Sequence, residues 1–353
     1  MEKQGRKLGL GDWLILLVNW IFIIALLMSY VATFINPRIF SVPQLFSIIF
    51  PILLIINVLF VFYWIWRWKK YFLYSLIAVL LGLGFVYRTF NFSRPERIYP
   101  SSFSVMSYNV RLFNVYKWDG DRYTDGDIFE LVRSKHPDIL CLQEFLDNKK
   151  IHSLAKFKKL YPYYAISYNN KDFKAGEAIF SRYRILHNMR LKNQGRTFAI
   201  VADIKLDDRI ARVIDVHLRS VAFEYKDYNS LDSLKFSNRR LQHIIYKLTS
   251  GYRFRQQEVK ILSRVIDTSS RPIILCGDFN DPPLSFTYTR IARHLTDAFT
   301  VAGMGLGNTY REYFPILRID YIFVSDEFRI LDFRRIKVRY SDHYPVYAEL
   351  SND

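Results

Sequence analysis

Residues 272–280 of this 353-residue chain read PIILCGDFN. An apolar run that ends in a glycine, an aspartate and an asparagine predicts a short buried strand with polar side chains at its end. Seven further runs are of the same kind: FSVMSYNV (103–110), PDILCLQEF (137–145), AIFSR (178–182), FAIVADIKL (198–206), RVIDVHL (212–218), IDYIFVS (319–325) and YPVYAEL (344–350). Residues 127–135 and 254–267 have a helical period instead. Many short strands with a few helices predict an α/β sandwich over residues 101–353.

Polar residues stand where these apolar runs end. They are Asn109, Glu144, His217, Asp278, Asn280, Asp320, Asp342 and His343. Any one of them alone is equally well explained as a turn former, because Asp and Asn commonly follow buried strands. Together they indicate a shared cleft, because strand ends can project side chains toward one place.

These residue types favour metal-dependent hydrolysis of a phosphodiester. That reaction requires a cation to neutralise the phosphoryl oxygens and a base to activate water. Hard cations such as Mg²⁺ prefer oxygen ligands, which Glu144, Asp342 and the amide oxygen of Asn109 would supply, and Mn²⁺ is an alternative to Mg²⁺. A carboxylate can fix the tautomer of a histidine base, a role that Asp320 could play toward His343.

The order of the motifs gives a more specific indication. SYNVRLFN, DILCLQE, GEAIFSR, VHL, GDFND, RIDYIF and SDHYPV, in that order, resemble the motif series of the endonuclease/exonuclease/phosphatase superfamily. The similarity covers residues 103–350. It implies a four-layer α-β-β-α sandwich of two mostly antiparallel sheets, with the active site at the edge of the sandwich. It also implies that Glu144 binds the catalytic Mg²⁺, assisted by Asn109 and Asp342.

The resemblance implies roles for four more of these residues. His343 matches a histidine that works as general base or phosphate contact, and Asp320 matches its acidic partner. Asp278 and Asn280 match a pair that orients the nucleophile, the phosphate or the leaving oxygen, and their individual roles stay open. Phosphoinositide phosphatases carry Trp-Cys-Asp-Arg around the acid that matches Asp320. Residues 318–321 read RIDY here, which argues against that branch.

Two positions favour the deoxyribonuclease-like branch. Arg111 stands two residues after Asn109, where abasic-site endonucleases have an aspartate and pancreatic-type deoxyribonucleases have an arginine that can reach a phosphate. His217 resembles a second active-site histidine, and Glu177 falls where its carboxylate partner is expected. The resemblance therefore implies a phosphate contacted by Arg111, Asn280 and His217. A solvated acid at a strand edge is the alternative for Glu177.

The first 90 residues have the composition of a membrane anchor. Three apolar stretches approach the ~20 helical residues that cross a bilayer, and they run over about 13–35, 45–66 and 71–87. Residues 91–100 read as a short linker before the catalytic domain. No ionisable residue lies in the middle of a span, so we expect anchoring rather than transport.

Basic residues give the expected topology. Lys3, Arg6, Lys7, Arg67, Lys69 and Lys70 flank one end of the first two spans, whereas Arg38 alone lies between them. The positive-inside rule then places the N-terminus in the cytoplasm, and three spans place the catalytic domain on the periplasmic or extracellular side of the cell (inner) membrane. A cleavable signal peptide is the alternative for the first span.

The charge and the cysteines add weaker indications. A net charge of +17 favours anionic partners such as nucleic acid, lipid head groups or phosphorylated metabolites, although a solubilising excess of charge is equally compatible. Residues 222–257 are basic and aromatic and could line a polyanion path, rest on lipid, or form an ordinary helical insertion. Cys141 and Cys276 lie in apolar runs, which predicts buried thiols.

Three functions follow as hypotheses. The first is a membrane-anchored, Mg²⁺-dependent phosphodiester hydrolase that is nuclease-like and acts on nucleic acid. The second is a phosphodiesterase for phospholipid or sphingomyelin head groups, or for another phosphoester. The third is a catalytically silent membrane protein that binds an anion. The expected partners are the substrate and the lipid bilayer, and the sequence indicates no protein partner.

Overall fold

The computed structural model describes residues 9–93, 102–170, 173–207, 209–221, 238–312 and 314–352. The helices are α1 (Leu10–Val31), α2 (Val42–Ile48), α3 (Phe50–Trp66), α4 (Phe72–Leu81), α5 (Leu83–Thr89), α6 (Asp125–Lys135), α7 (Ser153–Phe157), α8 (Asn238–Asp267), α9 (Phe286–Ile291) and α10 (Ala298–Ala302). The strands are β1 (Asn91–Phe92), β2 (Ser102–Asn109), β3 (Ile139–Leu146), β4 (Tyr163–Asn170), β5 (Ala175–Ser181), β6 (Ile185–Asn193), β7 (Arg196–Leu206), β8 (Arg209–His217), β9 (Ile273–Asp278), β10 (Thr296–Asp297), β11 (Met304–Gly305), β12 (Asp320–Val324), β13 (Arg329–Arg335) and β14 (Val346–Ser351).

Two six-stranded sheets form the catalytic part of the chain. The first has the strand order β13-β14-β2-β3-β5-β4 and the second the order β10-β12-β9-β8-β7-β6. Each sheet contains one parallel pair near its centre, β2 with β3 and β8 with β9, and its other pairs are antiparallel. Parallel neighbours need a crossover connection, and α6 and α8 lie within these two crossovers. The two sheets are therefore mixed.

The hydrophobic core has three layers. Residues such as Val105, Cys141, Ile200 and Cys276 fill the space between the sheets. The outer faces are covered by α6 and α7 on the first sheet and by α8 and α9 on the second. This packing agrees with the expected α-β-β-α sandwich. Both cysteines are fully buried with free thiols, which confirms their predicted environment.

The N-terminal helical region, α1 to α5, departs from three straight spans. Among the described residues, α1 alone has the length and apolarity to cross a membrane, and the number rises to three if α2 with α3 and α4 with α5 each act as one bent span. The bends measure 75° and 61°. Pro51 follows the first break and cannot continue a helix from before it, because proline lacks an N–H and clashes with the preceding turn.

The second bend occurs at Gly82, where α4 ends. A Cβ atom on this residue would lie 2.1 Å from the hydroxyl of Tyr30, so a side chain there would displace the Tyr30 ring. The Tyr30 hydroxyl donates to the Ala78 carbonyl at 3.1 Å and so holds α1 against α4. Close approach of these two helices therefore accounts for the glycine.

Polar side chains join the helices of this region at the level of Asn19. The indole N–H of Trp64 donates to Asn19 at 2.8 Å, and the Asn19 amide donates to Ser75 at 2.6 Å. Near the start of α1, Asp12 pairs with Arg67 at 2.8 Å. Asn19 is thus hydrogen-bonded to both other helices, which fixes the mutual rotation of α1, α3 and α4.

The opposite end of the helical region contacts the catalytic sandwich. The Arg88 guanidinium donates to Thr289 at 3.1 Å, and the Arg88 backbone carbonyl accepts from Arg318 at 2.7 Å. Residues 91–92, expected in the linker, pair as β1 with β11, and the Asn91 amide donates to the Phe299 carbonyl at 2.7 Å. The helical region and the sandwich are therefore joined by direct contacts.

The basic segment predicted at residues 222–257 is only partly described. Residues 222–237 lie outside the described residues, and the rest forms the first two thirds of α8. A helical insertion is thus confirmed for the described portion.

Gly277 lies within β9, directly before its last residue. It provides a test of how closely β9 packs against β8. Its φ is +135°, and a Cβ atom would lie 2.0 Å from the Val216 carbonyl oxygen on the neighbouring strand. We expect Gly277→Ala to lower the free energy of unfolding by about 3 kcal/mol, because it combines backbone strain with overpacking. Thermal and denaturant unfolding of the full chain in detergent measure this change.

Gly126→Ala is the matched control, because nothing lies within 4 Å of the Cβ position at this helical glycine. Its unfolding free energy should change by less than about 1 kcal/mol. Equal stability of both variants would contradict the close approach of β8 and β9.

Candidate active site

The carboxyl ends of the two parallel strand pairs meet at one edge of the sandwich. Asn109 ends β2 beside Gln143 of β3, which is followed by Glu144. His217 and Asp278 end β8 and β9 and lie directly opposite each other. Parallel strands present the same end to the same edge, so each crossover brings two polar side chains together. Asp278 and Glu144 are in turn bridged by the Asn109 amide, which donates to them at 3.1 and 3.2 Å.

Asp278 is the centre of the site. Its side chain is 1 % exposed and accepts hydrogen bonds from the Asn280 backbone N–H at 2.8 Å and from the Asn280 amide at 3.1 Å. Asn280 also donates to the Leu218 carbonyl. Burial raises the pKa of the Asp278 carboxyl, and the nearby His343 opposes the rise. The predicted pair Asp278 and Asn280 is thus one hydrogen-bonded unit.

Two imidazoles flank this carboxylate. The Nε2 atoms of His217 and His343 lie 3.9 and 3.8 Å from the same Asp278 oxygen. His343 Nδ1 is 2.9 Å from Asp320, which begins β12 opposite Asp278. Burial alone would lower the pKa of His343, but Asp320 and Asp278 hold it well above its ordinary value. Burial and Arg196 instead lower the pKa of His217, so the pKa values of the two rings are shifted in opposite directions.

Glu177 lies behind His217, on the side away from Asp278. Its carboxylate is 3.7 Å from His217 Nδ1 and is 1 % exposed. Burial raises the pKa of Glu177 to about 8. The Asn169 amide donates to both Glu177 oxygens at 3.2 Å. Asn169 lies on β4, eight residues before Glu177 in the sequence. It belongs to no motif, so no pattern in the sequence indicated its contact.

Arg111 lies beside the site but is occupied by acidic partners. It forms two hydrogen bonds with Glu312 at 2.7 and 3.1 Å, and its Nε is 3.4 Å from Asp342. The guanidinium also lies over the Trp118 ring at 5.0 Å from its centroid. The expected phosphate contact of Arg111 stays a prediction. Glu312 was not expected, because it follows no apolar run.

Three of the predicted site residues have positive φ values, and one of them is Arg111 with φ of +46°. Glu144 has φ of +53° and Asn280 has φ of +52°, values that cost free energy for residues with a Cβ atom. At Glu144 the pairing of β3 with β5 shifts register between Leu142 and Phe145. A bulge of this kind re-aims a side chain, and here the Glu144 side chain lies within reach of Asn109.

The oxygen-rich side chains fit a hard divalent cation. Asp278, Asp320 and His343 offer ligand atoms that all lie within 4.8 Å of one another. The expected ligands Glu144 and Asp342 line the same cavity. Burial raises the pKa of Glu144, with the negative charge of Asp342 adding to the rise. A cation would relieve this repulsion between the two partly buried carboxylates.

Asn109 is oriented with its amide nitrogen toward Glu144 and Asp278. Its oxygen accepts from the Arg111 backbone N–H at 3.0 Å. Its role as a metal ligand stays a prediction, since a ligand oxygen would require the opposite orientation of the amide.

A cavity of about 310 Å³ opens over these groups. Its polar lining consists mainly of six predicted site residues: Glu144, His217, Asp278, Asn280, Asp342 and His343. Asn109, Asp320, Glu177 and Arg111 contact members of this set from outside the lining. The structure therefore brings together all ten residues that the sequence singled out.

Comparison with known proteins identifies the class. The model of the endonuclease/exonuclease/phosphatase family matches residues 106–343, and a model of a domain of unknown function matches residues 12–89. The chain belongs to the endonuclease/exonuclease/phosphatase family, as its motif series indicated. It is accordingly a metal-dependent phosphoric ester hydrolase. A search of curated proteins gives no match.

Solved structures share the fold. A conserved protein of unknown function from Enterococcus faecalis V583 superposes with a TM-score of 0.54 at 16 % identity, covering 71 % of this chain and all of the other. A family protein from Bacteroides thetaiotaomicron gives 0.51 at 20 % identity and covers 73 % of this chain and 97 % of its own. A 3′ phosphatase from Neisseria, solved with a product DNA hairpin, gives 0.50 at 20 % identity, with coverages of 70 % and 98 %. At these sequence identities the comparison shows that the fold is shared.

Asn169 provides a test of the Glu177–His217 pair. We expect Asn169→Ala to lower kcat/KM for a phosphodiester about tenfold, because Glu177 loses the donor that orients it toward His217. Steady-state kinetics with bis(4-nitrophenyl) phosphate measure the effect. Asn188→Ala, at an exposed position on β6, should leave kcat/KM unchanged. Unaltered activity of Asn169→Ala would mean that Glu177 is positioned without Asn169.

Proposed function

We propose that this chain is a membrane-anchored, Mg²⁺-dependent phosphodiester hydrolase. The observation that carries the proposal is the convergence of Glu144, Asp278 and Asp342 in one cavity between His217 and His343. Carboxylates without a nearby cation would repel an anionic substrate. A site of this composition therefore suits a phosphate only together with a divalent metal.

Glu144 and Asp342 are the residues that would hold the metal, and the neighbouring carboxylates of Asp278 and Asp320 offer further oxygen ligands. A bound Mg²⁺ would neutralise phosphoryl oxygens and lower the pKa of water. Mn²⁺ has the same preference for oxygen ligands and would serve as a substitute.

The two histidines have distinct roles in this proposal. His343 is held by Asp320 and has a raised pKa, which suits a ring that contacts a phosphoryl oxygen or gives a proton to the leaving oxygen. His217 has a lowered pKa and Glu177 on its far side, which suits a neutral ring that accepts a proton from water. Asn280 lines the same cavity and would contribute by holding Asp278 in place through its hydrogen bonds.

Exposed apolar side chains support anchoring in a bilayer. Leu17 and Ile24 of α1 and Leu59 and Phe62 of α3 are each more than half exposed. Large exposed apolar surfaces of this kind require a cover, and lipid suits the length of α1. If each bent pair crosses as one span, the N-terminus and the sandwich lie on opposite faces, in agreement with the predicted topology.

The substrate predicted from the sequence was nucleic acid, with lipid head groups as the alternative. The Neisseria phosphatase in the comparison was solved with DNA, which makes a nucleic acid a reasonable first candidate. A catalytically silent anion-binding protein would need no metal site. The retained carboxylates and histidines argue against that third possibility.

Metal dependence is tested at Glu144. We expect Glu144→Gln to lower kcat/KM for bis(4-nitrophenyl) phosphate by about 100-fold or more, because the site loses a charged ligand. Chelation with EDTA should abolish hydrolysis, and added Mg²⁺ should restore it. The assay uses the full chain in detergent.

Glu130→Gln is the control, since Glu130 lies on α6 and is 57 % exposed. It should keep wild-type activity. Full hydrolysis by Glu144→Gln, or in the presence of EDTA, would contradict the proposal. Calorimetric titration with Mg²⁺ that shows no binding to the wild-type chain would favour the silent protein instead.

The topology can be tested by cysteine labelling, because both native cysteines are fully buried. Asp121→Cys places a thiol on the sandwich at a side chain that is 99 % exposed, and Gln4→Cys places one at the N-terminus. In right-side-out membrane vesicles, a membrane-impermeant maleimide should label Asp121→Cys at once and Gln4→Cys only after permeabilisation. Labelling of both before permeabilisation, or the reverse order, would contradict the predicted orientation.

A further inference from the structure

One side of the catalytic cavity is apolar, and the N-terminal helical region supplies part of it. We define the apolar wall as Ile48, Val221, Ile244, Leu248, Phe314 and Leu317, all of which line the same cavity as the catalytic groups. Ile48 is the last residue of α2, whereas Ile244 and Leu248 lie one turn apart on α8. The membrane anchor and the sandwich therefore build the cavity together.

The helix that carries Ile48 is fixed to the sandwich beside the cavity. Tyr252, which also lines the cavity, donates its hydroxyl to the Gln44 carbonyl at 3.1 Å. The backbone N–H of Phe286 donates to the Gln44 side chain at 3.3 Å. Gln44 is fully buried. The position of Ile48 is thus set by hydrogen bonds into the catalytic domain rather than by a loose contact.

The described residues that line the cavity offer little to a polyanionic backbone. Arg255 is the single lysine or arginine among the described residues that line it. Its guanidinium is 1 % exposed, pairs with Asp281 at 2.8 Å and donates to the Arg219 carbonyl at 2.7 Å. Sites that bind nucleic-acid strands combine a basic groove with stacking platforms, because successive phosphates need compensation. Here one phosphate can be compensated, and apolar surface lies next to it.

A small cavity with polar groups on one side and apolar residues on the other fits a single amphiphilic ligand. The phosphate of such a ligand belongs beside His217, Asp278 and His343, where the ionisable groups converge. Its apolar chain then extends along Ile48, Ile244 and Leu248. Burial of methylene groups against these side chains would contribute to binding by removing them from water.

We propose that the substrate is an amphiphilic phosphoric ester drawn from the bilayer in which the anchor lies, which presupposes the hydrolytic function proposed above. Ile48, Ile244 and Leu248 determine specificity by binding its apolar chain. In the reaction, the oxygen of water bonds to phosphorus, one P–O ester bond breaks, and the leaving oxygen takes a proton. The ester is thereby converted to an alcohol and a phosphate that carries one ester bond fewer, with no oxidation or reduction.

The test varies the length of the alkyl group of the substrate. The full chain in lipid nanodiscs is assayed with methyl, octyl and dodecyl 4-nitrophenyl phosphate, which share one leaving group. Each methylene that leaves water can raise kcat/KM up to about fourfold, so we expect the wild-type octyl ester to exceed the methyl ester by about 100-fold. A 20-nucleotide single strand serves as the nucleic-acid substrate.

Matched variants separate the apolar wall from partitioning into the disc. Ile48→Ala and Ile244→Asn should lower the ratio of kcat/KM for the octyl ester to kcat/KM for the methyl ester at least fivefold. Ile55 is exposed on α3, and Ile245 is the exposed neighbour of Ile244 on α8. The control variants Ile55→Ala and Ile245→Asn should therefore have the kcat/KM values of the wild type. Thermal unfolding checks that each variant is folded.

Binding gives a readout without turnover. Dodecyl phosphate should stabilise the folded Glu144→Gln variant against heat more than methyl phosphate does, and Ile48→Ala should remove most of that difference. No difference between the two ligands would overturn the inference even if a variant in the kinetic series failed to fold.

The outcomes distinguish this inference from the proposed function. Mg²⁺-dependent hydrolysis of the methyl ester with no gain from a longer chain, or equal losses for both esters in Ile48→Ala, would overturn the amphiphilic substrate and leave the hydrolase intact. Faster cleavage of the oligonucleotide, unaffected by Ile48→Ala, would do the same. Hydrolysis of none of these substrates would overturn both.

Discussion

The carboxyl ends of two parallel strand pairs meet at one edge of the sandwich, and the site depends on this meeting. Each pair needs a crossover helix, so residues far apart in sequence end at the same place. Asp278 receives the contacts from both sheets: the Asn109 amide from the first, and His217 and Asn280 from the second. The carboxylate is fully desolvated, and its free energy depends on these polar neighbours and on a cation.

A buried arginine side chain, Arg318, helps to connect the helical region to the sandwich. Arg318 is 2 % exposed, pairs with Asp297 at 2.7 Å, and lies over the Phe299 ring at 4.4 Å from its centroid. A second N–H of its guanidinium reaches the Arg88 carbonyl. Removing one partner of a buried pair typically costs about 3–5 kcal/mol, because an uncompensated charge remains. This arginine therefore links the end of the helical region to the core of the enzyme, two residues before the active-site Asp320.

Much of the site could be predicted from the sequence because strand ends are local features. An apolar run followed by Asp, Asn, Glu or His is visible without any knowledge of which strands are neighbours, and the order of the motifs then identified the family. Asn169 and Glu312 escaped prediction for the opposite reason. Their importance lies in contacts with Glu177 and Arg111, eight and 201 residues away, and neither contact leaves a pattern in the chain. The bends of the helical region were missed as well, because Gly82 matters through Tyr30 on another helix.

The sequence by itself determined the division into an apolar helical region and an α/β hydrolase, since periodicity and the polarity of strand ends are properties of short segments. It also singled out the polar residues that the structure brings together at one edge of the sandwich. Only the tertiary structure decided that Ile48 of the helical region lies in the same cavity as His343, that Arg111 is bound by Glu312, and that Asp278 stands between two histidines. These relations join distant segments, and they arise from packing and from the need of each buried polar group for a partner.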